Sequence, residues 1–149
     1  MRIKSTHFID TSILASLVFK DPDEKECLRY LRRIPRVYKG KISHLVLGEL
    51  YLSLLDGISD NIKRTGAFQE INANIESLDL SYVTLNLPDY IGCIRKIRDA
   101  DSRIEITDTK LLAEALCSDC YYFITVDNKI LDSTKINELI KTAHPGDTI

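Results

Sequence analysis

The sequence is poor in glycine, with only six among its 149 residues, and these six are scattered along the chain. They are Gly40, Gly48, Gly57, Gly66, Gly92 and Gly146. Their spacing contains neither the G-x-G-x-x-G turn of a dinucleotide-binding fold nor the glycine-rich phosphate loop of a nucleoside triphosphatase. The glycine pattern therefore argues against both classes of nucleotide-binding protein.

Long hydrophobic runs are also missing, because no stretch approaches the roughly 18 apolar residues that a membrane span needs. The first six residues carry two basic side chains, but the apolar segment of a signal peptide does not follow them. We therefore expect a soluble, cytoplasmic protein with no membrane partner.

An excess of charge of one sign is absent as well, since 20 basic and 22 acidic residues give a formal net charge of -2. Polyanion binding would therefore depend on a local patch or on bound cations. With 44% hydrophobic and 28% charged residues, the composition is that of an ordinary globular protein. At this length we expect a single domain over residues 1–149 that folds alone or as a small oligomer.

The four cysteines are expected to be reduced thiols, mostly buried as small hydrophobic groups. Cys117 and Cys120 form an isolated C-x-x-C, which could be half of a zinc site or a redox pair. A structural zinc would need a second pair of ligands at short spacing, but Cys27 and Cys93 stand alone and the three histidines are scattered.

Predicted strands alternate with predicted helices along the chain. Apolar or β-branched runs predict strands at residues 7–9, 41–42, 82–85 and 121–126, and the last is apolar throughout, which is typical of a strand in the middle of a sheet. This alternation predicts parallel strand pairing and an α/β fold, a three-layer α/β/α sandwich around a central parallel sheet.

Capping residues and apolar periodicity predict where the helices begin. With Asp21 as N-cap, Pro22 at the first helical position and Glu24 completing a capping box, a helix is predicted from residue 22 to about 34. Ser43 is expected to cap a helix that reaches about residue 56. The other predicted helices cover residues 13–19, 61–77, from Pro88 onward, from Thr107 or Asp108 onward, and 134–141.

Four acidic residues occupy positions where they could share one site. Asp10 and Asp127 each follow an apolar strand directly, and ligands bind at the carboxyl ends of strands in open parallel sheets. Asp108 lies in the first turn of a helix, and Glu49 has apolar neighbours at helical spacing. Each also has a simpler interpretation: a turn or cap residue for the aspartates, and an exposed helix edge for Glu49.

The segments 9–12, 46–50, 108–113 and 124–127 together resemble the four acidic signatures of the PIN-domain family, and the resemblance spans residues 8–131. It implies that Asp10, Glu49, Asp108 and Asp127 are catalytic acids that bind one or two metal ions, with Ser12 and Thr125 as supporting hydroxyls. Many relatives carry another acid after the last motif, where this chain has Asn128, so a firmly held second ion is in doubt. Hard carboxylate oxygens suit Mg²⁺ or Mn²⁺ and do not indicate zinc.

The resemblance further implies an endoribonuclease that leaves a 5′-phosphate and a 3′-hydroxyl. A compact chain of this kind looks most like the VapC-type toxins of prokaryotic toxin-antitoxin pairs, which are typically homodimers whose metal site is covered by a small antitoxin protein. A PIN-domain ribonuclease with an RNA-processing role, or a catalytically silent RNA-binding or scaffold domain, is the alternative.

A basic stretch is a candidate binding segment for the RNA substrate. It contains six basic residues and no acid, namely Arg29, Arg32, Arg33, Arg36, Lys39 and Lys41. Arg32, Arg33, Arg36 and Lys39 are the predicted RNA contacts, and the interleaved Tyr30 and Tyr38 could stack on bases. A solvated helix end or a protein-binding face explains the same pattern.

Overall fold

A sheet of five parallel strands organises the chain in the computed structural model, which describes residues 3–148. The strands are β1 (Thr6–Ile9), β2 (Lys39–Ile42), β3 (Ser81–Tyr82), β4 (Tyr122–Ile124) and β5 (Lys141–Ala143). The helices are α1 (Thr11–Phe19), α2 (Glu24–Leu31), α3 (His44–Gly57), α4 (Asn61–Ser77), α5 (Leu87–Ala100), α6 (Ile106–Cys117), α7 (Asn128–Leu131) and α8 (Thr134–Leu139). A short 3-10 helix, Pro145–Asp147, follows β5.

The strand order is β3-β2-β1-β4-β5, and every neighbouring pair is parallel. Consecutive residues of β1 and of β4 are fully buried, as Phe8 and Ile9 show in the first and Phe123 and Ile124 in the second. Because successive side chains of a strand point to opposite faces, both faces of the sheet are covered. This confirms the predicted three-layer α/β/α fold.

The centre of the sheet contains its topological switch point. From β1 the chain moves to β2 and β3 on one side, and it then crosses to β4 and β5 on the other side. β1 and β4 are hydrogen-bonded neighbours, with Phe8 opposite Phe123 and their rings stacked at 5.5 Å. The residues that follow these two strands therefore meet at the crevice where parallel α/β sheets place ligands.

Several predicted helix starts agree closely with the structure. Ser43 caps α3 by accepting a hydrogen bond from the backbone N–H of Val46 at 3.2 Å. α4 has the predicted bounds, and α5 begins one residue before Pro88, with Asn86 as its cap. The part of the chain that the structure describes contains no helix long and apolar enough to span a membrane.

The prediction for α2 was wrong at both ends. Asp21 accepts hydrogen bonds from the Ser16 hydroxyl and from the backbone N–H of Asp23, both at 2.9 Å, and so forms a turn before the helix. The helix therefore begins at Glu24, and it ends at Leu31 rather than near residue 34. Competition between such local turns and a helix is common for aspartate.

The C-terminal region was predicted as one helix over 134–141, but α8 ends at Leu139 and a fifth strand follows. β5 is only three residues long and pairs with β4, with Thr142 opposite Phe123. The strands predicted at 82–85 and 121–126 are shorter in the structure, at two and three residues.

Candidate metal centre

Four acidic side chains converge on the carboxyl edge of the sheet from four different elements. Asp10 caps α1, Asp127 caps α7, Asp108 lies in the first turn of α6 and Glu49 lies in α3. The Asp108 carboxyl is close enough to the other three that their negative charges raise its pKa. The structure thus brings the predicted acids to the same end of the sheet.

Asp10 is the most buried of these acids, with 4% of its surface exposed. One carboxylate oxygen, Oδ1, accepts the backbone N–H of Thr11 at 2.9 Å. The other, Oδ2, accepts the hydroxyls of Ser12 at 2.8 Å and Thr125 at 2.7 Å. Burial raises the pKa of Asp10 and the charge of Asp127 raises it further, while the three hydrogen bonds act in the opposite direction.

Ser12 and Thr125 connect the segments that follow β1 and β4. The Thr125 hydroxyl donates to Asp10 and accepts the backbone N–H of Asp127 at 3.1 Å. The Ser12 hydroxyl likewise donates to Asp10 and accepts the backbone N–H of Val126 at 3.3 Å. Each hydroxyl therefore uses both its donor and its acceptor capacity to hold the two strand ends in a fixed relation.

Glu49 approaches the same place from α3. Its Oε2 accepts the Thr11 hydroxyl at 3.0 Å, and the Thr107 hydroxyl is a second hydrogen-bonding neighbour. Partial burial raises the pKa of Glu49, and the charges of Asp10 and Glu105 add to this effect. Thr11, Glu105 and Thr107 were not predicted as site residues, although Thr11 directly follows Asp10, and Glu105 and Thr107 lie within three residues of Asp108.

The pKa of Asp108 shows the mutual repulsion of these carboxylates most clearly. Burial is the largest cause that raises its pKa to about 7, followed by the charges of Asp10, Asp127 and Glu49. The Lys129 ammonium group lies 3.7 Å from the exposed carboxylate of Glu105, which is another acid that raises the pKa of Asp108. Part of the Asp108 population is therefore protonated at neutral pH in the absence of a bound cation.

A further buried acid, Glu114, lies one to two turns along α6 from Asp108. Only 3% of its surface is exposed, and its Oε2 has no hydrogen-bond partner among residues 3–148. Burial raises its pKa, the Glu49 charge adds to this, and the Ser43 hydroxyl acts against it. Sequence reasoning missed Glu114, although an acid within the apolar run 111–116 was a usable signal.

These donors suit a divalent cation. A set of carboxylates supplies hard oxygen ligands, which Mg²⁺ and Mn²⁺ prefer. Burial is the largest cause of the raised pKa values of Asp10, Glu49 and Asp108, and the charges of neighbouring acids add to it. A cation would relieve this repulsion, so the residues present fit the metal that the sequence predicts.

The predicted basic stretch lies at the opposite edge of the sheet. Lys39 begins β2 and its backbone N–H donates to the Ser5 carbonyl, while Arg33 donates to the Thr148 carbonyl at 2.9 Å. Arg32, Arg36 and Lys39 are exposed. These side chains and the acidic cluster therefore lie at different ends of the strands.

The proposed stacking role of two tyrosines was wrong. Tyr30 and Tyr38 are 1% and 7% exposed, and both rings stack with His7, at centroid distances of 5.9 and 4.2 Å. The Tyr30 hydroxyl is 2.7 Å from His7 Nδ1. Both rings belong to the core and cannot meet a base.

Asp23, Glu26 and His144 form the one group of three or more potential metal ligands among residues 3–148 whose ligand atoms all lie within 4.8 Å of one another, a spacing that the four predicted acids do not reach. His144 lies 3.3 Å from each of the two carboxylates, and all three side chains are partly exposed. This group joins the start of α2 to the segment after β5 and is separate from the predicted site. It contains no cysteine, and Cys117 and Cys120 are both free thiols.

The fold and the site together define a parallel α/β protein whose switch point is lined by carboxylates suited to a divalent cation. The sequence profile of the PIN domain matches residues 7–136. The chain therefore belongs to the PIN-domain family, whose members are generally nucleases and typically use divalent metals. No curated protein sequence matches the chain significantly.

Solved structures with the same fold include the proteins named VapBC2, FitAcB and VapBC-1. The chain is similar to a chain of VapBC2 from Rickettsia felis, bound to a DNA fragment from its promoter, at a TM-score of 0.68 and 15% identity over 93% of this chain and 98% of that one. It is also similar to FitAcB from Neisseria gonorrhoeae (0.71, 14%, 95% and 99%) and to VapBC-1 from nontypeable Haemophilus influenzae (0.67, 16%, 94% and 98%).

Proposed function

We propose that this protein is a metal-dependent endoribonuclease, acting as the toxin of a VapBC-type pair, in which Asp10, Glu49, Asp108 and Asp127 bind one or two Mg²⁺ or Mn²⁺ ions. The observation that carries the proposal is the convergence of these acids at the switch point, where the charges of neighbouring acids raise the pKa values of Asp10 and Asp108. Such a site binds metal in preference to an anionic ligand, because an anion would add to the repulsion.

The bound metal would supply the positive charge that activates a water and stabilises the leaving oxygen when a phosphodiester is hydrolysed. The chain's own residues orient the carboxylates that would bind it. Ser12 and Thr125 hold the Asp10 carboxylate in one orientation, and Thr11 does the same for Glu49. Fixed ligand orientation of this kind is what supporting hydrogen bonds contribute in metal sites.

RNA is the proposed substrate, and the cytoplasm is the proposed location of the activity. Arg32, Arg33, Arg36 and Lys39 remain predicted RNA contacts, but an RNA would have to extend from one edge of the sheet to the other to meet them and the acids together. Arg33 is also engaged by the Thr148 carbonyl. We therefore expect their contribution to be one of overall affinity rather than of catalysis.

A small antitoxin is the proposed protein partner. The similar structures are complexes named VapBC and FitAB, and they match over nearly the full length of both chains. We further propose that the toxin is a homodimer, as the resemblance to VapC-type toxins implies. In the complex, the antitoxin covers the acidic site and prevents cleavage.

The decisive experiment incubates the purified protein with structured and unstructured RNA, with Mn²⁺ or Mg²⁺ or with a chelator. We expect cleavage only with metal, and products that carry a 5′-phosphate and a 3′-hydroxyl. The matched control is Asp127→Asn, which removes one ligand charge at nearly constant volume. RNA binding without cleavage under every metal condition would instead support a silent RNA-binding or scaffold domain.

The toxin role needs a separate measurement. Expression of the chain alone should arrest growth, and co-expression of a short reading frame adjacent to its gene should restore growth and form a complex with it. Active nuclease without growth arrest and without such a neighbour would favour an RNA-processing enzyme of the same family.

A further inference from the structure

Two of the four cysteines are neighbours in space although the sequence separates them widely. Cys93 lies in α5 and Cys117 is the last residue of α6, and these two helices pack against each other. The Cys117 thiol donates to the Glu114 carbonyl at 3.7 Å, the Cys93 thiol is close enough to raise its pKa, and both residues are partly exposed, free thiols. The pairing suggested by the C-x-x-C motif thus differs from the one that the fold produces.

Both thiols line an open cleft of about 370 Å³ between the two helices. Gly92 and Lys96 also line it, and a Cβ atom added at Gly92 would meet no atom within 4 Å. Small molecules in solvent can therefore reach Cys93. Lys96 lies one helical turn beyond Cys93 on the same face, and Asp89 and Asp119 also border the cleft.

The other two cysteines lack this access. Cys27 is fully buried and Cys120 is 8% exposed. Burial raises the pKa of both thiols to about 11. Since the thiolate is the reactive form and must be reached by an oxidant, neither is suited to the first oxidation step.

We propose that Cys93 and Cys117 form a reversible redox site, in which hydrogen peroxide oxidises Cys93 and Cys117 then closes a disulfide between α5 and α6. The Cys93 thiolate attacks one peroxide oxygen, the O–O bond breaks, and the leaving hydroxide takes a proton to become water. The Cys117 sulfur then attacks the sulfenic acid, forming the S–S bond as the S–O bond breaks. Its proton leaves with the departing oxygen as a second water, so two thiols and one peroxide yield one disulfide and two waters.

This order of events follows from the environment of the two thiols. Burial and the neighbouring Cys93 raise the pKa of Cys117 to about 11, so Cys117 is the poorer first nucleophile. Cys117 nevertheless lines the same cleft as the sulfur that it must attack. The proposal concerns a modification site and does not depend on the nuclease activity.

The test treats the native, metal-free protein with hydrogen peroxide and follows its intact mass and its peptide map. We expect a loss of about 2 Da, a cross-link between the peptides that contain Cys93 and Cys117, and full reversal by dithiothreitol. The cross-linked protein should also have a higher Tm, because the disulfide constrains the unfolded chain.

Single variants identify the two roles. Cys117→Ser should stop at a sulfenic acid on Cys93, a gain of about 16 Da that dimedone traps, whereas Cys93→Ser should show neither product at the same peroxide dose. The matched controls, Cys27→Ser and Cys120→Ser, should behave like the wild type. A Cys117–Cys120 cross-link, a disulfide only between two chains, or unchanged oxidation in Cys93→Ser would overturn the proposal.

Discussion

Two buried aspartates of this protein, Asp10 and Asp101, meet opposite electrostatic conditions. Asp101 follows α5 and is 7% exposed, and it accepts hydrogen bonds from the Arg103 guanidinium at 3.0 Å and from the Ser133 hydroxyl at 2.7 Å. Asp10 is 4% exposed and also accepts hydroxyl hydrogen bonds, but the charged group that acts on it is another carboxylate, that of Asp127.

The difference separates a structural acid from a candidate metal ligand. The Arg103 guanidinium, with the Ser133 hydroxyl, lowers the pKa of Asp101, whereas burial and Asp127 raise the pKa of Asp10. Leaving a buried charge without a partner is costly, so a site that collects several such charges indicates a cation from outside the chain. Burial alone does not distinguish the two aspartates, but the sign of the charge on their neighbouring groups does.

The largest expected effect comes from removing the Asp10 charge. Asp10→Asn should lower metal-dependent RNA cleavage by about a thousandfold or more, because it removes a buried ligand while keeping the side-chain volume. The matched variant Asp101→Asn should leave the rate of the folded protein nearly unchanged and lower its Tm. Initial rates and thermal melts of both proteins provide the comparison.

If Asp10→Asn cleaves at the wild-type rate, Asp10 is not a ligand and the comparison fails. If Asp101→Asn loses activity while its far-ultraviolet spectrum and Tm are unchanged, the Asp101 region has a functional role that its ion pair does not suggest.

Metal binding should produce the next largest effect. Mn²⁺ at a hundred times its Kd should stabilise the folded protein by about 2.7 kcal/mol, which is a rise of several degrees in Tm. Asp127→Asn should lose most of this rise. Glu26→Gln, which alters the separate Asp23, Glu26 and His144 group, is the matched control and should keep it.

Equal loss of the Mn²⁺-induced rise in both variants would mean that the ion stabilises the protein through more than the predicted site. Loss only in Glu26→Gln would show that the predicted site does not bind it.

The smallest expected effect is a pH dependence that originates at Asp108. An acid whose folded pKa is about 7, against an ordinary value of 3.8, holds its proton more tightly in the folded state. The stability that it contributes is therefore present at low pH and is lost as the pH rises from about 4 to 7. Asp108→Asn removes this loss.

We compare the free energy of unfolding of metal-free Asp108→Asn with that of the metal-free wild type. The difference, variant minus wild type, should be about 1 kcal/mol larger at pH 8 than at pH 4.5, a value reduced for the solvent screening of this half-exposed group. Denaturant unfolding at the two pH values measures it. The buried His7, with its pKa lowered to about 4, is common to both proteins, so its effect cancels. A constant difference between the two proteins at both pH values would contradict the assignment.

Local signals in the sequence predicted the features that depend on neighbouring residues. The strand before Asp10, the Ser43 cap and the bounds of α4 follow from apolar patterning and capping chemistry. Asp10 and Asp127 were placed together because parallel strands end at the same edge of a sheet.

Features that depend on distant residues were missed. The edge strand β5 forms because β4 offers it a partner, and its three residues carry no signal of their own. Tyr30 and Tyr38 are buried because they stack with His7, which lies more than twenty residues earlier in the chain. The approach of Cys93 to Cys117 likewise depends on helix packing rather than on sequence spacing.

The most direct test of the central claim is the anomalous X-ray signal of crystals soaked in Mn²⁺. The account predicts a manganese peak ligated by carboxylates of Asp10 and Asp127 together with Glu49 or Asp108. A fully soaked crystal with no peak there, or with its only peak at Asp23, Glu26 and His144, would contradict it.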